Sequence, residues 1–418
     1  MIAAIKKNGQ IISWAMYDTA NQFFVLNIIS LYFVRWLILE KHTPEIFYSI
    51  AFGVSTFFIA LLAPIFGTVA DVRGKHKPFL IFFTLLCILF TILLGFTNDV
   101  FCALVFFGIA NIGCQEATIF YNALMLNISS PGKVGLVSGL GKMFGYFGAI
   151  IALICTKPIV QAHGYQASFL WTGILFLLFS LPCMLFVKDK VIPLEQQKKI
   201  CVNQMQVVEI FKRMYVTLFQ KEEYAALREF LKAAFFGLCV VNVTMLFMSI
   251  YVNRVFGLND ADVFKFVILG TVFAVIGSIS SGLISDRIGC KRTMIWVFSL
   301  WTICLFVAAL VVPPYHWIIV VLAGISLGST WVVSRAFVVN IVPEGAAGEA
   351  FGMFNFICYL SGIVGPILWG LLLLVFSRFE ALGYRVALLC FIPLLIAGFM
   401  FLLRIPESSE YNKQIMGG

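Results

Sequence analysis

Twelve apolar stretches fill most of this chain, near residues 11–38, 46–70, 78–97, 100–126, 135–158, 167–187, 230–255, 263–285, 292–312, 315–341, 350–376 and 383–404. Each has the roughly 20 residues that an α-helix needs to cross the hydrocarbon core of a bilayer. In lipid the backbone finds no water, and a helix satisfies its own peptide groups. Charged residues make up 12% of the 418, against about 25% in a soluble domain, which excludes a water-soluble enzyme. Lys6 and Lys7 precede the first run as in a signal peptide. That run, Ile11 to Leu39, is too long for one and lacks a small-x-small cleavage site, so it is expected to stay as the first helix.

The long polar stretch between the sixth and seventh runs, Lys188 to Glu229, sets the organisation. It predicts an N-terminal six-helix bundle over 1–190, a cytoplasmic linker over 191–229 and a C-terminal six-helix bundle over 230–418. The spacing of Val208, Phe211, Tyr215 and Leu218 fits either an interfacial amphipathic helix or a solvated linker. The halves also repeat. Gly67-Thr-Val-Ala-Asp71-Val-Arg73-Gly74-Lys75, joining runs 2 and 3, returns between runs 8 and 9 as Gly282-Leu-Ile-Ser-Asp286-Arg287-Ile-Gly289-Cys-Lys291. At a second place Asn127, Gly132, Gly135, Gly139 and Tyr146 align with Asn340, Gly345, Gly348, Gly352 and Tyr359. A duplicated bundle of this kind is a transporter architecture. The expected fold is therefore an all-α membrane protein of twelve transmembrane helices in two pseudo-symmetric six-helix bundles.

The net charge of +9 is placed for membrane orientation rather than for nucleic acid. With both termini inside, 20 of the 29 Lys and Arg fall on the inner side, 7 on the outer side and 2, Lys142 and Arg335, inside helices. That bias predicts cytoplasmic termini. It also puts both repeated turns on the cytoplasmic face. There Asp71, Arg73, Lys75, Asp286, Arg287 and Lys291 can hold that side closed or touch substrate. Gly67 and Gly282 are expected to let helices approach closely, and Gly74 and Gly289 to form tight turns.

The pattern Gly-x-x-x-Asp-x-x-Gly-x-Lys/Arg, present twice, resembles the hallmark of the major facilitator superfamily, and the resemblance runs the length of the chain. Ser13-Trp-Ala-Met-Tyr-Asp18-Thr-Ala-Asn21 is similar to the first helix of one branch, the autophagy-related vacuolar amino-acid effluxers and their bacterial relatives. So are Phe120-Tyr-Asn-Ala-Leu124, the glycines from Gly135 to Gly148, and Ser334-Arg335 with Phe351-Gly352 and Gly365-Pro366. The resemblance implies the major facilitator fold, secondary transport and an amino-acid substrate. It also implies a cavity lined by helices 1, 4, 7 and 10.

Ionisable residues inside spans cost about 2.5–3.5 kcal/mol each at a helix centre and mark cavities or partners. Asp18, Glu116, Lys142 and Arg335 are four such residues, two acids and two bases that could pair. Gating, substrate contact and proton relay are all open to them. Asp18 shares a helical face with Asn21 and Gln22 and is the leading proton site, with Glu116 the second. Arg335 follows the stripe Ser326, Thr330, Ser334. It suits a substrate carboxylate because a guanidinium binds one bidentately, and Lys142 is the alternative. Helix 4 carries Asn111, Gln115, Thr118 and Asn122 on one stripe, as interhelical ties or cavity lining. Helix 7 adds Asn242, Ser249 and Asn253. Gly141-x-x-x-Gly145 and Gly348-x-x-x-Gly352 predict close packing of helices 5 and 11.

The 11 cysteines are scattered without a C-x-x-C pair and read as buried free thiols. His42, His76, His163 and His316 are expected outside the spans. No phosphate-binding or dinucleotide-binding glycine loop and no metal-ligand spacing occurs, so no cofactor and no enzymatic activity is expected. The expected protein is a monomeric, multi-pass transporter of a bacterial inner membrane. It moves a small polar or zwitterionic solute by alternating access, driven by protons, with the bilayer and the solute as its partners and no nucleic acid. The alternatives are a non-transporting receptor or scaffold on the same fold, or a carrier of another organic solute or a siderophore-like compound.

Overall fold

The computed structural model describes residues 2–73, 75–128, 134–189, 224–342 and 347–405. Among them are eleven helices long and apolar enough to cross a membrane. One of the eleven holds two of the twelve expected spans. Val134–Phe186 is a single helical run interrupted at Gly164, whose φ of 78° and ψ of 176° no helix contains. Spans 5 and 6 lie on either side of that break.

Span 1 occupies Gly9–Glu40, span 2 Glu45–Arg73, span 3 Lys77–Leu94 and span 4 Val100–Ile128. Span 7 is Ala225–Phe256, span 8 Asp260–Ile288, span 9 Cys290–Leu310, span 10 Trp317–Asn340 and span 11 Ala347–Phe376. Span 12 is divided into Glu380–Leu389 and Ile392–Leu403. Span 7 starts inside the expected linker, and Glu229 pairs with Lys232 within its second turn. The rest of the linker and its amphipathic stretch lie outside the described residues.

The chain divides into two compact units, Met1–Val207 and Val208–Gly418. Inside the first, span 1 packs on the helical run of spans 5 and 6, span 2 on span 4, and span 3 on spans 4 and 6. Inside the second, span 7 packs on spans 11 and 12, span 8 on span 10, and span 9 on spans 10 and 12. Each half thus repeats the pairing of the other, as a duplicated bundle requires. The outward faces stay apolar: Phe57, Phe82, Leu89 and Phe101 in the first half and Ile279, Trp296 and Leu310 in the second are all exposed.

Glycine fixes several of these seams, but not all those expected. A Cβ at Gly148 would stand 2.6 Å from the Thr19 Cα, and one at Gly365 would stand 2.7 Å from the Cys239 carbonyl oxygen. Span 5 therefore meets span 1, and span 11 meets span 7, through a glycine. Gly67 and Gly352 have open space around them, and Gly282 meets Val332 at an ordinary 3.6 Å. These three do not mediate close approach. At the second repeated turn Gly289 has φ +89°, a conformation that suits only glycine.

Candidate functional site

In the first half, the polar face of span 1 lies in a narrow seam. The Trp14 ring stacks on Tyr121 at 4.4 Å, and its Nε1 donates to the Tyr121 carbonyl at 2.9 Å. Tyr17 stacks on the other side of Tyr121 at 4.9 Å and bonds Thr84 at 2.7 Å. Asp18, 5% exposed, lies next to this aromatic stack. A Cβ at Gly141 would be 2.8 Å from the Trp14 ring and 3.1 Å from Asp18 Oδ2, so glycine there makes room for both. One turn on, Gly145 faces Asp18 and Gln22 Nε2, each at 3.8 Å. Asn21 accepts a bond from the Cys114 thiol of span 4 at 2.9 Å, immediately before Gln115.

Spans 1, 4 and 5 thus bring together Asp18, Asn21, Gln22 and the neighbourhood of Gln115. Asn21, Gln22, Gln115 and Thr118 are half-buried and Asn122 is exposed, so this stripe stays open. Asn111 departs from it. It is fully buried and donates to Ser55 of span 2 at 2.8 Å, which makes it an interhelical tie. Lys142 follows Gly141 directly in the helix, but its side chain, like those of Asp71 and Arg73, lies outside what the structure describes.

Glu116 has no partner among the described residues. It is fully buried, and neither carboxylate oxygen has a hydrogen-bond partner among the described residues. It sits between Gly113, which abuts Phe83 and Cys87 of span 3, and Phe120, which stacks on Phe79 and Phe83. An isolated carboxylate is costly in such a place.

The far half of span 1 holds groups the sequence did not single out. Val25–Leu31 and Trp36–Glu40 are wound as π-helix, a form that is rare and frequent at functional places. Asn27, fully buried, donates to Thr172 at 3.0 Å and accepts from Thr156 at 3.4 Å. Arg35 is 1% exposed, bonds the Tyr165 hydroxyl at 3.2 Å and lies over the Tyr165 ring.

The repeated turns are tied down. Asp189 accepts from the backbone N–H of His76 at 3.0 Å and of Lys77 at 3.2 Å, capping the start of span 3 with charge complementary to the helix dipole. Lys77 Nζ donates to the Leu185 carbonyl near the end of span 6. Lys291 does the same in the second half, bonding the Leu403 and Ile405 carbonyls at the end of span 12. Lys291 is thus an anchor within its own half. Lys75, Asp286 and Arg287 remain exposed.

In the second half the expected stripe closes on itself. Thr330, 3% exposed, accepts from Trp301 Nε1 of span 9 at 2.9 Å. Ser326 and Ser334 are buried as well, whereas Arg335 is exposed. One residue further along a helix is a turn of about 100°, enough to take Arg335 off the buried face. Asn242, half-buried, ties span 7 to Ser361 of span 11 at 3.2 Å. His316, expected in a loop, is 6% exposed and directly precedes span 10.

The sequence signature of the Major Facilitator Superfamily matches residues 19–366 and 267–416. The chain belongs to the Major Facilitator Superfamily. Membership makes it a multi-pass membrane transporter of some solute, not an enzyme. The MFS-type transporter YxiO of Bacillus subtilis (strain 168) is 27% identical over 95% of both chains. Autophagy-related protein 22 of Kluyveromyces lactis is 21% identical over 64% of this chain and 59% of its own. The crystal structure of the nucleoside transporter NupG (D323A mutant) shares the superfamily fold with a TM-score of 0.76, at 13% identity over 95% of this chain and 99% of that one. The polar groups absent from the sequence reading, buried Asn27 and Arg35 and half-buried Asp189, carry a signal only in retrospect: each is a polar residue in or beside an apolar run.

Proposed function

We propose that the protein carries a small polar or zwitterionic metabolite, with amino acids favoured, by proton-coupled alternating access across a bacterial inner membrane. The supporting observation is the open polar stripe of the first half, where Asp18 lies beside half-buried Asn21, Gln22 and Gln115. Amides of this kind match both ends of a zwitterion, and Asn122 extends the stripe. Lys142 and Arg335 are the cations for a substrate carboxylate. Asn111, Asn242 and Thr330 hold the helices that present these groups. The motif resemblance to the autophagy-related effluxers favours amino acids, and the similarity to autophagy-related protein 22 is in keeping with that branch.

Asp18 and Glu116 are the proton-carrying groups of this reading. A buried carboxyl without partners among the described residues, as at Glu116, holds a proton more cheaply than a charge. The charge bias of the loops supports cytoplasmic termini, with Asp71, Arg73, Lys75, Asp286, Arg287 and Lys291 around a cytoplasmic gate. The protein acts as a monomer.

The test is flux in proteoliposomes. A thermal-shift screen of amino acids selects ligands, since binding to the native state raises the unfolding midpoint. Uptake of the hits is then measured with and without a pH gradient for wild type, Asp18→Asn and Glu116→Gln. The expected result is counterflow in all three, with gradient acceleration lost in the variants. Equal acceleration in all three rejects the proton role, and absence of amino-acid counterflow in wild type rejects the substrate class.

A further inference from the structure

The last turn of span 12 gathers cations from three elements of the second half. Lys232 of span 7 and Arg404 lie over the same ring, Phe401, at 5.3 and 5.1 Å. Phe236 stacks on that ring at 5.9 Å. Lys291 of span 9 reaches the carbonyls of Leu403 and Ile405 from the other direction. Among the described residues one carboxylate answers the first two cations. Glu229 Oε1 pairs with Lys232, and its Oε2 stands a loose 3.8 Å from Arg404.

The Arg404 side chain is 64% exposed and that of Lys232 41%. Among the described residues Arg404 donates no side-chain hydrogen bond shorter than that loose contact. Its fork of N–H donors therefore faces outward, fixed in place by the ring beneath it. A fixed guanidinium beside an ammonium is the arrangement that binds a phosphate group.

The surroundings decide which phosphate. Span 12 presents Ile396, Met400 and Leu403 at 52%, 53% and 61% exposure, spaced as one helical face. That apolar stripe runs about 10 Å along the helix and ends at Arg404. A free phosphate has no use for it, while the acyl chain of a phospholipid lies along such a face with its headgroup at the cations. We propose that the Lys232–Phe401–Arg404 cluster is a binding site for the headgroup of an anionic phospholipid, with its acyl chain on the Ile396–Leu403 face. The site is independent of the substrate assigned above.

The experiment uses the full chain purified in a neutral detergent. Unfolding midpoints are measured after adding phosphatidylglycerol, phosphatidylcholine or inorganic phosphate. Wild type is expected to gain more from phosphatidylglycerol than from the other two. The Lys232→Gln/Arg404→Gln double variant loses at least half of that extra gain, and Arg287→Gln, an exposed cation elsewhere, retains it. Co-purified lipid counted by mass spectrometry is the second readout: the double variant retains less phosphatidylglycerol per protein than wild type. A full phosphatidylglycerol gain in the double variant, or unchanged lipid retention, overturns the site. An equal gain from inorganic phosphate overturns the lipid assignment and leaves a simple anion site.

Discussion

His316 lies against the Phe256 ring at 5.3 Å and the Trp317 ring at 5.2 Å, and neither of its nitrogens has a hydrogen-bond partner among the described residues. Arg385 shares the Phe256 ring, and the carboxylate of Asp262 in span 8 acts on the imidazole electrostatically. Burial pushes the imidazole below its usual pKa, and Asp262 offsets only part of that. The folded protein therefore binds this proton less well than the unfolded chain. Its stability is intact above the unfolded value of about 6.5 and falls as the pH drops through it. Each unit of separation is about 1.4 kcal/mol. The unfolding midpoint in detergent is expected to fall between pH 7.5 and 5.5 in wild type, and by less in His316→Phe, which keeps the aromatic sandwich and removes the proton site. Parallel pH curves would refute this. The sequence reading placed His316 in an outer loop and not under its neighbours' rings, because a histidine at an apolar boundary reads the same buried or exposed. Arg335 shows the same gap. Its position one residue past a polar stripe was legible, and the consequence of the extra 100° was not.

Between elements, one pairing is built by two chemistries. Spans 2 and 4 are joined by the Asn111–Ser55 hydrogen bond at 2.8 Å, and Gly108 leaves an ordinary 4.0 Å to Ser55. Spans 8 and 10, the equivalent pair, meet mainly through Gly277, Gly324 and Gly328, with the Ser329 hydroxyl donating to the Gly277 carbonyl at 3.1 Å. A Cβ at Gly328 would lie 2.7 Å from Ser278 Oγ and closer still to the Ala274 carbonyl, and one at Gly277 would lie 2.7 Å from the Ile325 Cα. Gly328→Ala is expected to lower stability by about 1–3 kcal/mol, the usual cost of overpacking. Gly282→Ala, whose Cβ would meet Val332 at an ordinary 3.6 Å, is expected to be neutral or to gain up to about 1 kcal/mol of helix propensity. Thermal unfolding of the two variants side by side tests the seam, and equal midpoints count against it. Hydrophobic run length gave every span and its phase in advance, since lipid leaves the backbone no other choice. It was blind to the seam glycines, because a glycine beside lipid and one beside a facing backbone look alike. It was equally blind to the π-wound half of span 1, whose Asn27 is held by Thr156 and Thr172, more than a hundred residues away.

At the scale of the whole molecule, the halves share a packing plan and differ in what they leave open. The first keeps Asn21, Gln22 and Gln115 partly accessible around Asp18. The second uses its matching polar groups internally, Thr330 on Trp301 and Asn242 on Ser361. Duplication was legible from the repeated turns and the aligned glycines. This division of labour was not, because a stripe of polar residues has the same spacing whether it faces a cavity or a neighbouring helix. The difference leads to opposite consequences for similar substitutions. Thr330→Val strands the buried Trp301 N–H, which costs about 1–3 kcal/mol, and Asn242→Leu breaks a weaker tie. Both should lower the unfolding midpoint while the KM of the surviving transport stays near wild type. Gln22→Leu and Gln115→Leu remove partly exposed amides that make no hydrogen bond to another span among the described residues. They should leave the midpoint nearly unchanged and raise KM in proteoliposome flux by about tenfold, the equivalent of about 1.4 kcal/mol of lost substrate contact. A KM effect confined to the second-half variants would move the substrate contacts to spans 7 and 10 and reverse the assignment of the halves.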